Sequence, residues 1–116
     1  MKLLTQFTTA PKQRLTIQLD DGNEVAFYFE YKSNQLGWFF DFTYNNETYS
    51  NIRLTTSYNI LRAYKSWLPF GVRCDTLDGF EPMGKIDLYT GYAKIFILSK
   101  DDVITTEGNF YVKATA

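Results

Sequence analysis

The sequence predicts a mainly β protein, a small antiparallel sheet or partly closed barrel with one short helix. Three observations carry this. Two aromatic-rich runs, Val25–Tyr31 and Gly37–Tyr44, flank one short polar break. Gln13 to Asp20 alternates apolar and polar residues ahead of the turn Asp20-Asp21-Gly22-Asn23. Near the other end, Tyr92 to Ser99 is an apolar run with a strand's period.

Each element follows from local chemistry. In Gln13–Asp20, Leu15, Ile17 and Leu19 share one face and Arg14, Thr16 and Gln18 the other, which is a strand with one wet side. Asp-Gly tolerates positive φ, so the next turn closes a hairpin onto Glu24. Side chains alternate along a strand. Val25, Phe27, Phe29 and Tyr31 therefore fall on one face, and Trp38, Phe40, Phe42 and Tyr44 on one face of the following strand. The break Lys32–Leu36 is short enough for a hairpin. Asn45-Asn46 makes a second turn, because asparagine visits the left-handed region readily. Thr48 to Leu54 returns as a strand whose imperfect period suits a bulge. These segments form a four-stranded antiparallel meander from Gln13 to about Leu54.

Beyond it, Ile60, Leu61, Tyr64 and Trp67 or Leu68 follow helical spacing. Ser57 is a fair N-cap and Pro69 a stop. This predicts a short helix of roughly two turns, or a tight turn of the same length. Phe70 to Asp75 is a further strand, and Thr76 to Gly91 reads as an ordered loop rich in turn residues. In Tyr92–Ser99, Ala93, Ile95 and Ile97 oppose Lys94, Phe96 and Leu98. Both faces are apolar beyond Lys94, so this strand sits centrally or is covered by a partner. The polar tail, 100–116, carries one strand-like stretch, Phe110-Tyr111-Val112.

Composition narrows the function. A chain of 116 residues with 45% hydrophobic and 18% aromatic content suits a single domain with a real core, 1–116. The net charge of −1 and scattered Lys and Arg argue against a nucleic-acid footprint, which needs a basic patch. There is no histidine, the commonest general base and metal ligand. Cys74 is the lone cysteine and reads as a small strand residue rather than an activated thiol. Asp20-Asp21 reads as a pair of turn acids; Asp101-Asp102 and Asp75–Asp78 raise a calcium loop, which wants a denser oxygen set, and the Asp75 loop has too few carboxylates for one. The glycines do not fit a phosphate-cradling spacing. The expectation is therefore no enzyme, no cofactor and no metal. Polarity returns at Thr5, so the N-terminus does not read as a secretory signal. No run approaches the roughly 20 apolar residues of a membrane span. The expected place is a cytoplasm, or a particle built in one.

The aromatic set leaves two binding readings open. Trp38, Tyr49 and Tyr58 could stack sugars or bases. Alternatively the aromatics build the core and an assembly interface, where Tyr, Trp and Phe are enriched. Their strand-like alternation favours the second.

The order of segments carries a resemblance. Gln13-Arg14-Leu15-Thr16-Ile17 opens a strand, and Gly37-Trp38-Phe39-Phe40-Asp41-Phe42 follows the turn. Asn51-Ile52-Arg53-Leu54, Tyr58 to Tyr64, Leu68-Pro69-Phe70-Gly71 and Ala93 to Leu98 come next in that order. Over about residues 13–99 the chain resembles the small baseplate plug proteins of contractile-tailed bacteriophages. It departs from their pattern at Asn51, where a glycine-containing turn is usual, and at Tyr58, where glycine is common. Its C-terminal extension, about 100–116, is also longer.

The resemblance implies a structural virion protein without catalysis, closing the tail lumen near tube, hub and spike. Baseplate hub, spike and tail-tube proteins would be its partners, with several copies or a ring about the tail axis. It would be assembled in the bacterial host cytoplasm, with no membrane or nucleic-acid binding. Tyr92, Phe96, Leu98, Phe110 and Tyr111 are the expected interface residues. The alternatives are a carbohydrate-binding or host-recognition module, in which Trp38 or Trp67 would hold the glycan, and a tube-initiating or hub-adaptor tail protein.

Overall fold

The computed structural model describes residues 1–64 and 67–105. It is mainly β and consists of two antiparallel sheets, neither closed on itself. The strands are β1 (Lys2–Leu3), β2 (Lys12–Gln18), β3 (Glu24–Lys32), β4 (Gly37–Tyr44), β5 (Glu47–Arg53), β6 (Phe70–Thr76) and β7 (Ala93–Ser99). The larger sheet has the order β2-β3-β4-β5, the expected meander, and the smaller has the order β1-β7-β6.

The aromatic faces meet as the alternation requires. Phe27 lies opposite Phe42, Phe29 opposite Phe40 and Tyr31 opposite Trp38. Side chains paired directly across an antiparallel ladder stabilise it, so these pairs help fix the register. Trp38, Phe29, Phe40 and Phe42 are fully buried. Phe70 of β6 joins the sheets by meeting Phe42 edge-on, with ring centroids 5.5 Å apart, a favoured aromatic geometry. One continuous core follows, with Val72, Cys74, Ala93, Ile95 and Ile97 supplied by the smaller sheet.

The turns use the residues their backbones demand. Asn45 (φ 53°) and Asn46 (φ 67°) both take positive φ, as the tightest hairpin turn needs. The irregularity in β5 is a bulge: Phe40 pairs with Ile52 and Phe42 with Tyr49, so Ser50 and Asn51 together face Asp41. Asn51 has φ 60°, and its N–H donates to Asp41 Oδ1 at 2.7 Å. Asparagine tolerates this conformation better than most residues other than glycine.

The segment after β5 takes the tight-turn alternative. Among the described residues of this segment, only Arg62–Tyr64 forms a 3₁₀ turn. Ser57 instead bridges Cys74 on β6, and Ile60 N–H donates to the Val72 carbonyl at 2.7 Å. Asn59 competes with the helix, since its Oδ1 accepts from both Leu61 N–H and Val72 N–H at 3.1 Å. The structure also adds elements that periodicity did not show. β1 pairs with β7, helix α1 (Asp87–Thr90) forms within the loop before β7, and residues 100–105 are helical where a polar tail was expected. The strand expected at Phe110-Tyr111-Val112 lies outside the described residues.

Asn59 also explains Gly71. A Cβ at Gly71 would lie 2.6 Å from Asn59 Oδ1. Asn59 is buried and holds two backbone donors, so it cannot swing away without leaving them unpaired. Gly71→Ala is expected to lower stability by about 1–3 kcal/mol in a denaturant titration.

Candidate assembly surface

The loop between β6 and β7 is tied to the larger sheet by hydrogen bonds from its core aromatics. Tyr31 OH donates to the Met83 carbonyl at 2.8 Å, and Trp38 Nε1 donates to the Gly84 carbonyl at 3.1 Å. Tyrosine and tryptophan suit this because a buried ring can place its polar tip on a backbone acceptor. Thr76 Oγ1 donates to the Phe80 carbonyl at 2.7 Å, and Gly84 N–H donates to Asp87 Oδ2 at 2.8 Å. Pro82 and Leu88 turn inward and are buried.

At the base of the loop, Tyr92 OH donates to Asp78 Oδ1, which also accepts from Phe80 N–H at 3.1 Å. These bonds, Tyr92's first, hold the Asp78 carboxyl below its ordinary range, and the Asp78 hydrogen bond pushes the Tyr92 phenol up.

With its backbone so held, the loop turns apolar side chains to solvent at every third residue. Leu77, Phe80, Met83, Ile86 and Tyr89 are all exposed, Leu77 by 78% and Phe80 by 70%. Exposed apolar side chains concentrated in one segment make it a candidate interaction site, and a loop already fixed loses little freedom on binding. The sequence carried this signal as a three-residue apolar interval, which matches neither strand nor helix period and so read only as a loop.

The expected interface residues are placed differently from one another. Tyr92 and Phe96 are half-buried. Phe96 lies opposite Leu3 on one side and Arg73 on the other. Leu98 is 1% exposed, packed away by its own chain. Phe110 and Tyr111 lie outside the described residues. Of the rings considered for stacking, Trp38 is fully buried and Tyr49 stacks on Phe42 at 4.6 Å, whereas Tyr58 and Trp67 remain exposed.

The acids serve local structure. Asp21 accepts from Asn23 N–H at 3.0 Å within the first turn, and Asp75 pairs with Arg73 at 3.1 Å. Asp102 meets the Met1 ammonium at 2.8 Å and accepts from Ser99 N–H, which together hold its carboxyl low. Among the described residues no three His, Cys, Asp or Glu side chains converge as a metal site would need. No described helix is long and apolar enough to cross a membrane. Burial pushes the Cys74 thiol up to about 12. The folded protein is therefore expected to resist thiol reagents at neutral pH and to react fully once unfolded; a disulfide-exchange colour assay with and without denaturant reads this directly.

No curated protein sequence matches the chain. The protein-family model described as cyanophage baseplate Pam3 plug gp18 matches residues 1–102. This match takes in both sheets, the apolar loop and the first half of the helical stretch that follows β7. The chain belongs to this baseplate plug family and is a structural protein of a phage baseplate.

Proposed function

We propose that this protein closes the lumen of a contractile phage tail at the baseplate, acting by assembly and without catalysis. The observation that carries the reading is the family match over nearly all described residues. The pinned apolar loop supports it, because a rigid surface bearing Leu77, Phe80 and Tyr89 gains from being covered by neighbours. The hub, spike and tail-tube proteins are the proposed partners, met in the host cytoplasm, with several copies arranged about the tail axis. Tyr92 and Phe96 adjoin the loop's base and the half-buried face of β7, and they join the proposed contact set.

Co-expression with the hub, spike and tube proteins tests this. The expected result is a stable complex with this chain, of defined stoichiometry by native mass spectrometry. A chain that stays monomeric beside all three overturns the reading.

A further inference from the structure

The apolar loop and the molecule's partly apolar cavity lie at opposite ends of the two sheets. β6 and β7 pair from Phe70 opposite Ser99 at one end to Thr76 opposite Ala93 at the other. The loop leaves from the Thr76–Ala93 end. It is tied there to Tyr31 and Trp38, a cross-strand pair at the matching end of the larger sheet. At the Phe70–Ser99 end a cavity of about 420 Å³ opens, with Pro69, Ile97 and Leu98 on one side and Ile17 and Leu19 on the other. The ladder between the two ends is seven residues long, or about 20 Å. The pinned loop therefore cannot fill the cavity of its own chain.

The charges left uncommitted at the two ends are complementary. In the loop, Asp78 accepts from Tyr92 OH, Asp87 accepts from Gly84 N–H, and Glu81 meets Arg53 at 3.6 Å. Lys85 is exposed and has no ion pair among the described residues. At the cavity, Asp21 is turned to Asn23, whereas Asp20 and Asp101 are exposed and have no ion pair among the described residues. Lys2 and Lys100 share that rim, and Glu81, 46% exposed, is the loop's acid best placed to answer them.

We infer that the cavity is the socket for the apolar loop of a second copy, so that copies join head to tail through Phe80 and its apolar neighbours, with Lys85 set against Asp20 and Asp101. The inference rests on the loop's role as the assembly surface and adds the partner that covers it. Every copy carries both halves of this contact. Because the two surfaces differ, the contact is heterologous: repeated, it closes into a ring if the rotation per step allows, and otherwise runs on as an open stack. Either arrangement suits copies placed about an axis better than a two-fold pair does.

Thiol crosslinking of the isolated protein tests the contact with no baseplate partner present. Ile86→Cys puts a thiol on the loop and Asp101→Cys puts one at the cavity rim; both positions are exposed, and the native Cys74 is buried. With a short bismaleimide, an equal mixture of the two variants is expected to give a linked dimer containing one of each, far above the yield of either variant alone. Adding Phe80→Glu to the loop variant should lower that yield about tenfold, as removal of an interface anchor does. Phe80 is 70% exposed, so the fold should survive the change, and far-UV circular dichroism checks that it does. Linkage of the Ile86→Cys variant to itself overturns the inference, by placing loop against loop across a two-fold. Absence of any linked dimer as the protein concentration is raised also overturns it, by giving the cavity to another occupant. Neither result bears on co-purification with hub, spike and tube proteins, by which the proposed function is judged separately.

Discussion

Trp38→Ala is expected to lower the free energy of unfolding by about 3–5 kcal/mol, the cost of emptying a large buried aromatic site. Trp38 is fully buried against Tyr31, with ring centroids 5.6 Å apart. Its Nε1 also holds the Gly84 carbonyl, so the loss reaches the loop before β7. Trp38→Phe separates the two effects. It keeps most of the buried area but leaves that carbonyl without its donor, an expected loss of about 1–3 kcal/mol. Denaturant titration measures the stability. Limited proteolysis measures the loop: both variants should be cut between residues 77 and 91 at protease levels that leave the parent intact. A stable Trp38→Phe protein with an uncut loop would show that the hydrogen bond does not position the surface.

Phe80→Glu combined with Ile86→Lys is expected to abolish co-purification with baseplate partners while changing stability by no more than about 0.5 kcal/mol, the usual range for surface substitutions. Phe80 is 70% exposed and Ile86 49% exposed, so neither supports the core. Retained complex formation would move the contact surface elsewhere, with Phe96 on β7 the next place to change. Leu98 serves as the contrast. It is buried within its own chain, so Leu98→Asn is expected to unfold the domain before any question of assembly arises.

Most of the meander was legible in the sequence because β2, β3 and β4 each have one buried face and the Asp21-Gly22 and Asn45-Asn46 turns have their own chemistry. Phe27, Phe29, Phe40 and Phe42 alternate so regularly that a slip of one residue would expose them all. Asn45-Asn46 and Asp21-Gly22 name their turns without help from the rest of the fold. The region from Ser57 to Leu68 was less legible because two patterns overlap there. Ile60, Leu61 and Tyr64 have helical spacing, but Asn59 ties the backbone to β6, a contact thirteen residues away that no local window contains.

β1 was missed for a related reason. Two residues carry no period, and Lys2-Leu3 becomes a strand only because β7 offers an edge. The proposed assembly surface draws on two kinds of signal. Two-sided hydrophobicity directed attention to β7, where Phe96 is half-buried but Leu98 is covered by its own chain. Tyr31 and Trp38 hold the loop backbone at Met83 and Gly84 from the larger sheet, a contact that sequence spacing alone does not reveal.

The proposed function puts this chain on the tail axis as a closure element, held by its apolar loop. Electron cryo-microscopy of the assembled baseplate tests it most directly. Density for this domain is expected on or around the central axis below the tube, with Phe80 and Tyr89 covered by a neighbouring protein. Density at the baseplate periphery, or an axial lumen closed by another protein while this loop stays in solvent, would contradict it.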